Sequence, residues 1–240
     1  TPRARVAPAT IPGMTVPGRR EAARLLLSLH PPAWSVQHAC AVADVASWLA
    51  HAMARNGTVV DIPAVEAAAL LHDVDKIPAG RMAGLRHGDG SAAWLEAQGL
   101  GELSALVRDH PVPRLADDDD FARLVAAPIE ARIIAYADKR AGQQLEPMAS
   151  RFASWGRRYP SGPRDPVLGT KDRPPSGPGW ADETAALVVV RADALEREIC
   201  GLAGVEPHLV RRLRWARRAL RQAVLQRAAE HQAGLLEPAG

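Results

Sequence analysis

The chain has few cysteines and lacks both membrane-spanning runs and an apolar leader. Its two cysteines, Cys40 and Cys200, have no partner cysteine at metal-ligand spacing, which favours free thiols in a reducing compartment. No run of about 18 apolar residues exists, so a membrane-spanning helix is not expected. The Pro-rich residues 1–18 lack the apolar core of a secretory signal. These absences predict a cytoplasmic protein.

Alternating runs rich in Val, Ile and Thr are nearly absent, whereas Ala, Leu and Arg dominate. The one run that resembles a strand, residues 187–190, sits inside a longer helical pattern. The sequence therefore predicts an all-α fold. The net charge of +3 and the charged fraction of 24% do not by themselves require a nucleic-acid partner.

The chain divides by composition into four segments. Residues 159–180 hold six prolines and four glycines and are predicted to be a linker. An extended arm is expected at 1–18, the main helical region at 19–158, and a C-terminal helical segment at 181–240, with helices at about 182–202 and 207–231.

Several helix boundaries have local signals. Ser35 is the expected N-cap of a helix that reaches about residue 55. Asp61 is expected to cap the next helix, with Pro63 in its first turn. The glycines of residues 80–90 predict a loop, and a later helix begins at Pro128.

The dipeptide His72-Asp73 closes an apolar helical stripe, where two polar side chains require a partner. Adjacent helical residues point about 100° apart, so both can reach one ion only at a helix end. Pro78 follows shortly and is expected to stop that helix.

His38 lies on the inward stripe of one helix, and Asp138 closes the apolar run of another. With His72 and Asp73 they form a mixed nitrogen and oxygen ligand set that suits Mn, Fe, Co, Ni or Mg. If Asp73 bridges, His87 and His110 can hold a second ion. Two divalent ions about 3.5–4 Å apart suit the hydrolysis of a phosphate ester.

The order His38, His72-Asp73, His87, His110, Asp138 resembles that of the HD-domain superfamily. It is most similar to the HD phosphohydrolases that cleave dinucleoside tetraphosphates symmetrically. The resemblance covers about residues 20–158. It is carried by Leu-Leu-His-Asp at 70–73, Lys76, the pair His87-Gly88, and Ile-Ile-Ala-Tyr-Ala-Asp at 133–138. Lys139-Arg140 stands where that family has an Ile-Glu-Pro type sequence.

The resemblance implies a helical HD-domain bundle with additional C-terminal helices, and a metal-dependent phosphohydrolase with one or two divalent ions. Asp73 and Lys76 are the expected catalytic residues, and a nucleotide or dinucleoside polyphosphate is the expected substrate. Lys76, Lys139 and Arg140 are candidate substrate contacts. Asp75 is interpreted as a solvated neighbour and the acidic run 117–120 as a surface loop or cap.

Two other functions remain open. The same ligand order serves diiron HD oxygenases, which resemble the chain in ligands but not in the flanking sequences. A non-catalytic regulatory module is the other alternative, in which the Arg-rich C-terminal helix binds RNA, DNA or a partner protein. The sequence leaves the oligomeric state open.

Overall fold

The computed structural model describes residues 16–142, 144–158 and 180–236. These residues form ten α-helices and no β-strand, which confirms the all-α prediction for the described part of the chain. The helices are α1 (Arg19–Ser28), α2 (Ala33–Arg55), α3 (Ile62–Leu71), α4 (Asp89–Ala97), α5 (Gly101–Val107), α6 (Asp118–Ala126), α7 (Ile129–Arg140), α8 (Met148–Arg158), α9 (Asp182–Ala203) and α10 (Arg214–Leu236). The predicted arm up to residue 15, and residues 159–179 of the predicted linker, lie outside the described residues.

Helix α2 is the centre of the bundle and packs against α3, α7, α9 and α10. Its stripe of Val42, Val45, Leu49 and Met53 is buried, as the three-and-four spacing predicts. The predicted N-cap at Ser35 is wrong: Pro32 occupies the cap position and Ser35 is buried in the first turn. The backbone N–H groups in the first turn of a helix have no partner within the helix, so the missing N–H of proline costs nothing there. Its fixed φ also suits the start of a helix, and α2 begins directly after Pro32.

The N-cap predicted for α3 is confirmed. The Asp61 carboxylate accepts a hydrogen bond from the Ala64 N–H at 3.0 Å, and Pro63 lies in the first turn. The helix is apolar almost all round and ends at Leu71, directly before His72. A buried helix of this kind brings its C-terminal end into the middle of the protein.

The C-terminal segment differs from its prediction in one respect. The expected single helix from about residue 207 is a 3₁₀ turn, Pro207–Arg212, followed by α10. The break falls at Leu213, whose backbone is extended. Residues 187–190 lie within α9, as expected, and α10 runs along α2. In the described ranges, every helix is too short or too polar to cross a bilayer.

Candidate metal centre

His72 and Asp73 lie where α3 unwinds. His72 is the C-cap residue with φ −59° and ψ −30°, and Asp73 leaves the helix with φ −108° and ψ 19°. Both side chains are buried, and His72 Nε2 is 3.5 Å from Asp73 Oδ2. The end of the helix therefore lets two adjacent side chains converge, which a regular helix would prevent.

His38 and Asp138 reach the same point from two other helices. His38 lies in the second turn of α2, and Asp138 lies in the last turn of α7. Asp138 Oδ1 is 3.3 Å from His38 Nε2 and 3.7 Å from His72 Nε2. The structure thus brings together all four of these predicted ligands, including the two most distant in sequence.

The two carboxylate oxygens of Asp73 face two different groups of imidazoles. Oδ2 is 3.5 Å from both His38 Nε2 and His72 Nε2. Oδ1 is 3.4 Å from His87 Nε2 and 3.3 Å from His110 Nε2. Asp73 therefore lies between two groups of candidate ligands, the position that a bridging carboxylate needs.

Several polar atoms of this cluster are buried without a hydrogen-bond partner. They are His72 Nε2, His110 Nε2 and Asp73 Oδ1. The Nδ1 atoms of His72 and His110 lie 2.7 and 2.6 Å from the carbonyl oxygens of Ala69 and Val107, so Nδ1–H is the donor in each case. In the neutral ring, each Nε2 presents a lone pair to the centre. Unpaired buried lone pairs of this kind fit a divalent cation.

The electrostatics of the cluster also favour a cation. Burial raises the pKa of Asp73 and Asp138, but neighbouring imidazoles, with Lys76 in the case of Asp73, outweigh it and hold both pKa values well below the ordinary range. Burial lowers the pKa of His110 to about 4, which keeps its ring neutral. For His72, burial is outweighed by Asp73 and Asp138, and its pKa is raised. Two anionic carboxylates thus attract positive charge to this point.

Asp75 was interpreted from the sequence as a solvated neighbour, and that interpretation is wrong. Its side chain is buried, and its Oδ1 lies 2.9 Å from His87 Nδ1. It also accepts a hydrogen bond from the Gly88 N–H at 2.8 Å. Because Asp75 holds Nδ1 of His87, Nε2 is turned toward Asp73. A carboxylate two residues after the central Asp was the available signal, but only the folded loop shows its partner.

We expect Asp75→Ala to weaken binding of one ion selectively, because His87 loses the group that fixes its ring. Removal of such an orienting carboxylate typically lowers metal affinity by about 10–100-fold. Metal titration followed by elemental analysis should show one weakened site and one retained site. Equal weakening of both sites, or of neither, would contradict this role for Asp75. Asp119→Ala, on the exposed first turn of α6, is the control.

The loop that carries His87 is held by a buried arginine that the sequence reasoning missed. Arg114 donates to the His87 carbonyl at 3.1 Å and to Asp120 Oδ2 at 3.0 Å, and it pairs with Asp89 at 2.8 Å. Within the run 117–120, interpreted as a surface loop or cap, Asp117 caps α6 and residues 117–119 are exposed, whereas Asp120 is buried. An isolated buried carboxylate would be unstable, and Arg114 and Arg123 neutralise this one.

Gly88 follows His87 with φ +89°, and a Cβ there would lie 2.2 Å from the Arg108 carbonyl oxygen. We expect Gly88→Ala to lower the free energy of unfolding by about 1–3 kcal/mol or more, because a strained φ is combined with a backbone clash. Gly84→Ala is the matched control, since Gly84 also has a positive φ of +77° but open space around it. Urea unfolding of both variants should show the larger loss for Gly88; similar losses would mean that the clash is relieved by a small backbone shift.

Lys76 lies at the solvent side of the centre. Its Nζ donates to Asp73 Oδ2 at 2.8 Å, and its side chain is 44% exposed. Burial lowers the pKa of Lys76, but Asp73 and Asp138 outweigh it and the pKa is raised. Lys76 is thus a cation beside the Asp73 carboxylate, and its exposed side chain is accessible to an incoming ligand.

Lys139 and Arg140, which were predicted to contact the substrate, do not face solvent. Both are fully buried, at 0% and 1% exposure. Lys139 Nζ donates to the His110 carbonyl at 2.8 Å, and the Arg140 guanidinium donates to Glu196 at 2.7 Å. Their donors are occupied within the protein because the last turn of α7 faces other helices, which the linear sequence does not reveal. The expectation that these two cations face a polyphosphate is therefore corrected.

The family model described as HD domain matches residues 36–142, a little under half of the chain. The matched segment contains all six candidate ligands and supports the relation to the HD-domain superfamily. No curated protein and no solved structure matches the chain.

Proposed function

Because residues 36–142 match the HD domain, we propose that this protein is a metal-dependent phosphohydrolase that cleaves a phosphate ester or anhydride. The proposal depends on the position of Asp73. One carboxylate oxygen faces His38 and His72, and the other faces His87 and His110. Nε2 of His72, Nε2 of His110 and Oδ1 of Asp73 are buried without a hydrogen-bond partner. A cluster with imidazoles on only one side of Asp73 would fit one ion and would offer no ligands to a second ion.

Each candidate ligand has a role in this proposal. His38, His72, Asp73 and Asp138 would hold one ion, and Asp73, His87 and His110 would hold the other. Nitrogen and carboxylate ligands without thiolate suit Mn, Fe, Co, Ni or Mg. Such ions, when bound, neutralise phosphoryl oxygens and lower the pKa of water toward neutrality.

The side chains around the ligands orient them and contact the substrate. Asp75 and the backbone carbonyls of Ala69 and Val107 fix the imidazole rings, so that each Nε2 faces the centre. Lys76, exposed beside Asp73, is placed to donate to a phosphoryl oxygen as negative charge develops on it. Lys139 and Arg140 have no role at the substrate in this proposal.

The substrate class that we propose is a nucleotide, with a dinucleoside polyphosphate as the first compound to test. The support is the sequence resemblance of residues 70–73 and 133–138 to the symmetrical dinucleoside tetraphosphatases.

The test combines metal content with phosphate release. The full chain is stripped with a chelator, reloaded separately with Mn, Fe, Co, Ni or Mg, and assayed over a nucleotide panel that includes a dinucleoside tetraphosphate. We expect two equivalents of a transition ion and metal-dependent turnover. Iron-dependent oxygen uptake without phosphate release would favour an oxygenase instead. Absence of both bound ions and turnover would favour a non-catalytic module.

A further inference from the structure

A second concave site lies outside the metal centre, between the loop after α7 and the C-terminal helices. It is a cavity of about 560 Å³. Gln144 and Leu145 form one side, and Val224 and Leu225 of α10 contribute apolar surface. Its cationic lining consists of Arg211, Arg212, Arg217 and Arg221, with His208 beside them. We call this cavity the basic cleft.

The four arginines of the basic cleft are not neutralised by the described part of the protein. Within residues 16–142, 144–158 and 180–236, none of them has a carboxylate partner within 4.0 Å. Arg114, Arg123 and Arg140, by contrast, all pair with carboxylates. Four unpaired guanidinium groups around one concavity repel one another and concentrate anions there.

The basic cleft is fixed to the helix that carries Asp138. Arg140, in the same last turn of α7, donates to the Glu146 carbonyl at 2.7 Å and to the Pro207 carbonyl at 3.1 Å. Glu146 follows Gln144 and Leu145 of one wall, and Pro207 begins the 3₁₀ turn that carries Arg211 and Arg212. One buried guanidinium thus joins the end of α7 to two walls of the cleft.

We propose that the basic cleft binds a compact polyphosphate anion, at a site separate from the metal centre. Its volume is that of a small-molecule site. Guanidinium forks match phosphate oxygens in geometry and charge. Anion binding in the basic cleft does not depend on the proposed function.

A single-stranded nucleic acid fits the basic cleft less well. Such ligands are held by aromatic platforms on which successive bases stack. Among the described residues that line the cleft there is no Phe, Tyr or Trp, and its apolar lining is aliphatic. A compact, highly charged anion uses the arginines without needing a stacking surface.

The test is a calorimetric titration of the full chain with inorganic tripolyphosphate, with no divalent ion added. The test variant is Arg217→Gln combined with Arg221→Gln. The matched control is Arg214→Gln combined with Arg218→Gln, which removes the same charge from exposed positions of the same helix outside the cleft. We expect the test variant to bind tripolyphosphate at least about tenfold more weakly, since charge-assisted hydrogen bonds are lost. The control should change the affinity by less than about twofold.

Three results would overturn the proposal. Equal losses in the two double variants would show that only net charge matters. Loss of binding in Asp73→Asn would place the anion at the metal centre instead of the cleft. Binding of a single-stranded RNA oligomer without binding of tripolyphosphate would assign the arginines to nucleic acid. If tripolyphosphate binds as expected but the wild-type protein releases no phosphate from any nucleotide, the proposed function fails and the anion site remains.

Discussion

Asp73→Asn is expected to abolish metal-dependent phosphate release and to reduce bound metal from two equivalents to less than one. Asp73 is the residue that faces both groups of imidazoles, so its loss removes a ligand from each proposed ion. The amide keeps the size of the side chain but removes its negative charge. Two ions supply several kcal/mol of charge stabilisation in phosphoryl transfer, so kcat should fall by about a thousandfold or more.

This prediction is best measured by elemental analysis and by thermal unfolding. Ions that bind only the folded protein raise its Tm, so added metal should stabilise the wild type and leave Asp73→Asn nearly unchanged. Asp119→Asn on the exposed face of α6 is the matched control and should behave as the wild type. Turnover in Asp73→Asn within tenfold of the wild type would refute a bridging role for Asp73.

The second large effect concerns stability. We expect Arg140→Ala to lower the free energy of unfolding by about 3–5 kcal/mol, the loss typical when one partner of a buried ion pair is removed. The Arg140 guanidinium pairs with Glu196 at 2.7 Å and also donates to the Tyr136 hydroxyl and two backbone carbonyls. Its removal leaves a partly buried carboxylate, 16% exposed, without its cation and removes an ion pair that joins α7 to α9.

Urea unfolding followed by circular dichroism measures this loss. Arg55→Ala, in an exposed turn at the end of α2, is the control and should change the free energy by no more than about 0.5 kcal/mol. Arg140→Lys should recover only part of the stability, because an ammonium group lacks the planar fork. If Arg140→Ala instead keeps the wild-type stability and raises KM alone, the residue contacts the substrate as the sequence interpretation supposed.

The start of α3 was predictable from a local signal, whereas the start of α10 was not. An aspartate before Pro63 predicted the start of α3, and the Asp61 hydrogen bond confirms it. In α10 the apolar spacing continues through residues 207–213, but the backbone turns there as a 3₁₀ segment. Periodicity reports which residues face inward, but it does not distinguish two related helical backbones.

The roles of the charged residues near the centre required the fold. Asp75, Lys139 and Arg140 lie within two residues of candidate ligands in sequence, and each was interpreted as facing solvent or substrate. All three are buried, and their partners, His87, His110 and Glu196, lie 12, 29 and 56 residues away. A charged side chain is buried where partners compensate its desolvation, and partners this far away in sequence are not identified by any local pattern.

The sequence by itself determined that the chain is helical, and it identified six side chains with the chemistry of metal ligands. Helical spacing and the preference of imidazole and carboxylate for divalent ions are local properties, legible in the order of residues. Only the tertiary structure decided that the two oxygens of Asp73 face different imidazoles, that Asp75 and Arg114 hold the His87 loop, and that four arginines surround a cavity. Those arrangements depend on long-range packing, in which the burial of one element sets the direction of side chains on another.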